Sequence, residues 1–183
     1  MSYGQSISLE NAKKVAAAAL AEVRKNNWTM AVAVVDTNGD LVYFEKMDDT
    51  PLGSTVVCQE KARSAARFKR PTKAFQDMLA AGGEGVRVLR IQGAIPVDGG
   101  LPITMGGKVV GGIGLSGGTS AQDASARRPA STSSVSGVEW RVREDPPSVR
   151  RGSFSAERGA ASRADAHPHS SDAAAPTSRA RSR

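Results

Sequence analysis

The sequence predicts an α+β domain over residues 1–123, built on a largely antiparallel sheet, with a disordered tail over 124–183. Three observations carry this. Apolar residues recur at helical spacing near the N-terminus and again after Ser54. Two turn signals, Asn38-Gly39 and Gly106-Gly107, each separate a pair of β-rich runs. At Ala124 the composition changes abruptly, and the large aliphatic residues all but disappear.

Ser8 is a good N-cap, and Glu10 falls in the first turn, where a carboxylate complements the helix dipole. Leu9, Ala12, Val15, Ala16, Ala19, Leu20 and Val23 then mark one apolar face, and Asn26-Asn27 ends the helix. Thr29–Asp36 reads as a buried strand, and Leu41–Lys46 returns as its hairpin partner. The Asp36–Asp40 turn has acidic spacing faintly like a calcium loop. Its glycine is misplaced, however, and Met47 stands where the bidentate Glu would be. Pro51 and Gly53 break the next loop. Ser54 or Thr55 can cap a second helix to about Lys69, with Val57, Cys58, Ala62, Ala65 and Ala66 inward and Lys61, Arg63, Arg67 and Lys69 adding positive charge. Pro71 interrupts it. Thr72–Ala81 restarts as a short helix carrying Phe75, Met78 and Leu79, and Gly82, Gly83 and Gly85 stop it. Val86–Ile95 reads as a strand. Leu101–Met105 and Val109–Leu115 read as a second hairpin.

The tail holds 13 Ser, 12 Ala, 11 Arg and 5 Pro among its 60 residues and has no Lys, Leu, Ile or Met. Such a chain buries too little apolar surface to offset its ordering entropy. It also carries most of the chain's formal charge of +7: residues 1–123 hold 14 basic and 12 acidic side chains, a net of only +2. An Arg-rich arm can bind nucleic acid electrostatically. The bias without lysine is also what GC-rich DNA yields when read out of frame, and this reading is preferred to a nucleic-acid partner. No apolar run reaches the roughly 18–20 residues of a membrane span, and no secretory signal is evident. A cytoplasmic protein is therefore expected. The single cysteine, Cys58, excludes an internal disulfide framework and a Cys-based zinc site.

Several motifs match by chance. Nine of the 20 residues from Gly99 to Gly118 are glycine. Gly112–Gly117 satisfies G-x-G-x-x-G but lacks the following helix and strand of a dinucleotide-binding unit. Gly114–Gly118 satisfies G-x-S-x-G, but the only histidines, His167 and His169, lie in the tail, so no base is available to a nucleophilic serine. Without imidazole in residues 1–123, a three-His zinc site and a His-ligated haem are excluded, and no metal site is expected. Cys58 reads as a small core residue. Asp48 and Lys61 are the candidates for proton transfer. A cationic helix facing a glycine-rich turn would make a carboxylate- or propionate-binding pocket, with backbone N–H groups at Gly99-Gly100 and Gly117-Gly118; on the residues alone the preferred reading is that these charges are solvated and the glycines only permit tight turns.

Three segments carry a more specific signal. Lys25-Asn26-Asn27-Trp28 leads into Ala31–Asp36. Met47-Asp48-Asp49 leads into Gln59-Glu60-Lys61-Ala62-Arg63-Ser64-Ala65-Ala66. Gly99-Gly100-Leu101-Pro102-Ile103 leads, through Val110–Gly118, into Ala121-Gln122-Asp123. In order and spacing the chain resembles the GlcG/HbpS family over about residues 7–124. That family takes in glycolate-utilisation proteins, extracellular haem-binding proteins and the C-terminal domain of PduO-type proteins. The resemblance implies a profilin-like layer, an antiparallel sheet of about five strands flanked by helices, and a homo-oligomer. It implies a ligand site at Met47, Asp48, Asp49, Lys61, Arg63, Gly99, Gly100, Leu101, Pro102, Ser116, Gly117 and Gly118. The expected ligand is haem, another tetrapyrrole or a small anionic metabolite; the alternative is an enzyme acting on a small carboxylated metabolite. The domain departs from the family in two ways. It has no histidine, so haem would take Met, Lys or Cys as axial ligand or bind without a strong one. And the family's alanine-rich C-terminal helix gives way to Arg127-Arg128-Pro129.

Overall fold

The computed structural model describes residues 1–126, together with the backbone of two strand segments at 134–135 and 138–142. Helix α1 (Leu9–Lys25) starts where Ser8 caps it, the Ser8 hydroxyl accepting from the Asn11 N–H at 3.3 Å. Strands β1 (Ala31–Val35) and β2 (Leu41–Lys46) form the expected hairpin, with Gly39 at φ 91° in the turn. Helix α2 (Ser54–Phe68) follows, then α3 (Lys73–Ala80). Strands β3 (Gly100–Met105) and β4 (Lys108–Ser116) form the second hairpin. Its two turn residues, Gly106 and Gly107, both have positive φ, 56° and 75°, as a two-residue turn with the strands' own twist requires. A short α4 (Ser120–Ala126) closes the described core.

Four antiparallel strands lie within residues 1–126, against about five expected, in the order β2-β1-β4-β3. Two short strands, β5 (Ser134–Val135) and β6 (Val138–Val142), extend the sheet past β3. The tail expected from Ala124 otherwise lies outside the described residues. At its N-terminal end the chain adds one parallel bridge, Tyr3 to Val109, alongside β4.

The two faces of the sheet differ in side-chain size, and that sets the layer spacing. On one face Val32, Val34, Leu101, Ile103, Ile113 and Leu115 pack against Ala12, Val15, Ala16, Ala19, Leu20 and Val23 of α1. On the other, Ala31, Ala33 and Val35 meet Cys58, Ala62 and Ala66 of α2. Glycines complete this second face. A methyl group built on Gly114 would lie 2.1 Å from the Cys58 carbonyl oxygen, one on Gly112 2.4 Å from that of Ala62, and one on Gly100 2.5 Å from that of Lys61. Helix α2 therefore rests backbone-to-backbone on β3 and β4.

Three local expectations need correcting. Val86–Ile95 is not a strand: Gly83–Arg90 winds as a 3₁₀ segment. The cause lies just upstream, where Gly82 and Gly83 take positive φ and Gly85 packs so tightly on α3 that a methyl there would overlap the Met78 carbonyl. Only Val88 of this run is buried, while Val86 and Leu89 face solvent. Leu9 is exposed, because the apolar face begins one turn later at Ala12. Helix α2 begins at Ser54 with Gly53 as its N-cap and no side-chain cap.

Gly114→Ala is expected to lower stability by about 2–3 kcal/mol, because the methyl must push α2 off the sheet. Gly53, already at helical φ with open space around it, should tolerate alanine with a change within about 1 kcal/mol. Urea denaturation of both variants checks this; equal effects would mean that α2 is not held at backbone contact.

Candidate functional site

One end of the sheet gathers most of the predicted site residues. Strand β2 ends there at Lys46, β3 begins at Gly100 and β4 ends at Ser116. The Met47 N–H donates to the Met30 carbonyl at 3.1 Å. Gly117 packs on the other side of the same residue, close enough that a methyl there would lie 2.7 Å from the Met30 Cα. Met47 and Gly117 therefore flank Met30 at this end. Asp48 and Asp49 are exposed, with Asp49 at φ 61°. Gly118 is exposed and Gly117 half-buried, whereas Gly99, Gly100, Leu101, Pro102 and Ser116 are enclosed.

Lys61 is the central surprise. It is fully enclosed, although the sequence marks it only as one of four cations of the predicted second helix, close to the face of residues 57, 58, 65 and 68. The ε-ammonium donates to the Asp123 carboxylate at 2.6 Å and to the Leu115 carbonyl at 3.0 Å. The other Asp123 oxygen accepts from the Gly118 N–H at 3.1 Å. A charge taken out of water needs this kind of close partner, since isolated burial would cost many kcal/mol. The pair ties α2, the end of β4 and α4 together. It also directs the Lys61 ammonium to protein oxygens rather than to the surface.

The glycine backbone is equally engaged. The Gly99 N–H donates to Asp98 Oδ1 at 2.7 Å and the Gly100 N–H to Thr72 Oγ1 at 2.9 Å. The Gly99 carbonyl accepts from the Leu115 N–H at 3.0 Å. These groups hold loops in place and do not form an open anion cradle. Arg63 belongs elsewhere: its Nε donates to the Gly39 carbonyl at 3.1 Å and its Nη1 pairs with Glu60 at 2.6 Å. That is the β1–β2 turn, at the opposite end of the hairpin from Met47. Lys61 and Arg63 thus point to different places and do not form one cationic pocket.

Cys58 is buried, and its thiol donates to the Thr55 carbonyl at 3.4 Å. Burial pushes its pKa up to about 12, against a smaller downward pull from Lys61. It is a packed core thiol and not a nucleophile. Among the described residues no group of three or more His, Cys, Asp or Glu is arranged to hold a metal ion.

Three residues outside the predicted set matter here. Asp123 completes the Lys61 pair. A lysine close to the apolar face of a helix is the signal that calls for such an acid, and Asp123 was already visible in the Ala-Gln-Asp motif. Thr72, fully buried, accepts from Gly100. Thr50 is 4% exposed, and its hydroxyl is buried without a hydrogen-bond partner. Nothing in the sequence marks Thr50 apart from its place after Met47-Asp48-Asp49.

Comparison with known proteins agrees with this architecture. A family model described as "Haem degrading protein HbpS-like" matches residues 7–130. Protein GlcG of Escherichia coli K12 is 34% identical over 110 residues, covering 60% of this chain and 81% of GlcG. The crystal structure of protein ORFY from Klebsiella pneumoniae superposes with a TM-score of 0.64 at 30% identity, covering 71% of this chain and 91% of that one. A double mutant of HbpS from Streptomyces reticuli superposes with a TM-score of 0.64 at 29% identity, covering 71% and 88%.

Two outcomes follow for the buried groups. Lys61→Met strands the Asp123 carboxylate and should cost about 3–5 kcal/mol, whereas the double variant Lys61→Met/Asp123→Leu should recover most of that loss. Urea denaturation checks it, and equal losses in the two variants would remove the pair as the cause. The Cys58 thiol should resist alkylation in the native protein at pH 8. Because its folded pKa is raised from 9.0 to about 12, its contribution to stability is complete below pH 9 and is lost as pH climbs toward 12. Cys58→Ala should flatten that alkaline loss in a pH series of melting curves.

Proposed function

The chain belongs to the HbpS-like family, and on that premise we propose that it is a small oligomeric ligand-binding protein for haem, a related tetrapyrrole or a small anionic metabolite. The observation that carries this reading is the convergence at one sheet end of the Met47–Thr50 loop, the Gly117–Thr119 turn and the Lys61–Asp123 pair behind them. In this reading the exposed loops meet the ligand, and the buried ion pair fixes their shape. Met47, Asp48, Asp49, Gly117 and Gly118 are the contacts. Lys61, Gly99, Gly100, Leu101, Pro102 and Ser116 act from behind, and Arg63 stands apart at the far turn. Self-association is supported by Val86, Leu89 and Ile91, which expose apolar surface along and just after the 3₁₀ segment. Among the described residues no helix is long and apolar enough to cross a membrane.

The described residues fit a porphyrin ring better than they fit its iron. They include no imidazole. The Cys58 thiol stays protonated and buried, and the Lys61 ammonium is taken by Asp123 and Leu115. Met47, half-buried against the core, is the remaining candidate thioether at this end. The macrocycle is therefore held by apolar contact and hydrogen bonds, without a strong axial ligand from these residues. Haemin and iron-free protoporphyrin IX should then bind with affinities within about threefold of each other, a difference under roughly 0.7 kcal/mol. Titrations followed by quenching of tryptophan fluorescence test this. An advantage of tenfold or more for haemin would show that the iron is ligated, and binding of neither would exclude tetrapyrroles.

A further inference from the structure

We propose that the Thr50 hydroxyl is a ligand-binding group that donates a hydrogen bond to a carboxylate oxygen of the bound anion, and this rests on the ligand-binding reading above. A buried hydroxyl normally has a partner, because leaving one unpaired is destabilising. Among the described residues Thr50 is the one with a buried side-chain oxygen that has none. Its own N–H donates to the Met47 carbonyl at 3.4 Å, which closes the Met47–Thr50 turn and leaves the side-chain hydroxyl out of that bond. Orphans of this kind cluster where structure has been retained for function at some cost to stability.

The chain segment that follows Thr50 carries exposed apolar side chains, which suits a ligand with an apolar body and an acidic edge. Leu52, 86% exposed, and Val56, 62% exposed, stand four residues apart where α2 begins. The Thr55 N–H bonds the Leu52 carbonyl and the Val56 N–H bonds the Gly53 carbonyl, which folds the two side chains onto one helical turn. They offer an apolar edge beside the hydroxyl in the chain. Asp48 and Asp49 are exposed and negatively charged, so the neutral hydroxyl is better suited than either to meet a carboxylate. Reaching it takes a shift of the Asp48–Gly53 loop. That loop contains a left-handed non-glycine residue, Asp49, and a glycine with nothing within 4 Å of a built-on methyl, Gly53.

The test compares the full-length protein with Thr50→Val and Thr50→Ser. Valine keeps the shape and removes the hydroxyl, so two effects of opposite sign are expected. The melting temperature of unliganded Thr50→Val should rise or hold. Its affinity for protoporphyrin IX should fall about tenfold, as for loss of a hydrogen bond to a charged group. Thr50→Ser should bind within about threefold of the parent. Esterifying both propionates should weaken binding to the parent but hardly affect Thr50→Val. Unchanged affinity in Thr50→Val, or the same loss on esterification in both proteins, overturns the role of Thr50 and leaves the ligand-binding reading intact. Failure of the parent to bind any porphyrin overturns both for this ligand class. A lower melting temperature in Thr50→Val would show that the hydroxyl stabilises the free protein and would overturn the proposal on structural grounds.

Discussion

The contact between α2 and the glycines of β3 and β4 is the constraint from which the rest of this domain follows. With no side chain at positions 100, 112 and 114, helix backbone and sheet backbone come together at a distance that any Cβ would forbid. The helix must then present small residues, and it does: Cys58, Ala62, Ser64, Ala65 and Ala66 are all buried. The opposite sheet face has the reverse composition, with Val, Ile and Leu filling the wider gap to α1. One sheet thus carries two interfaces of different thickness. A substitution is tolerated on one side by repacking and on the other hardly at all.

That close approach also explains the buried lysine. At position 61 the helix backbone lies over Gly100, and the side chain has nowhere to go except along the interface toward Leu115 and Asp123. A shorter residue would leave the end of β4 unsupported, and an apolar one would leave Asp123 unpaired. The ion pair need not add net stability, because desolvation offsets much of its attraction. What it adds is register. It accepts from the Gly118 N–H, reaches the Leu115 carbonyl and holds α4, so three segments arrive at the site end in one relative position. Beside the glycine-rich turn the Lys61 ammonium already has a carboxylate and a carbonyl as partners.

Much of the architecture is legible in the sequence. The α1 face, both hairpins and the break at Pro71 follow from periodicity and turn chemistry, which are local properties. The α+β class followed from their order. What was not legible depends on distance between layers. Lys61 looked like one of several surface cations, because helical spacing places it only near the apolar face and cannot say how close the sheet comes. Arg63, two residues later, looked like its partner, yet the helix turns it toward Gly39 at the other end. Val86–Ile95, apolar with Arg87 and Arg90 interspersed, reads as a strand, and the positive φ values at Gly82 and Gly83 with the tight packing of Gly85 redirect it. Thr50 carried no sequence signal, since the lack of a partner is a property of the folded surroundings.

The same reasoning bears on what a domain without histidine can do in a family described by haem chemistry. Iron ligation needs a free lone pair at the site; the Cys58 thiol lies in the core and the Lys61 amine in an ion pair, which leaves the half-buried Met47 thioether at this end. Recognition of a flat carboxylated ring needs neither. It needs apolar area, a hydrogen-bond group that the protein does not itself use, and loops held at fixed separation. In the proposed site, Leu52 and Val56, Thr50, and the Lys61–Asp123 pair would meet those three requirements in turn. Ring recognition and iron ligation make separate demands on such a fold, and the described residues lack the imidazole that most simply meets the second.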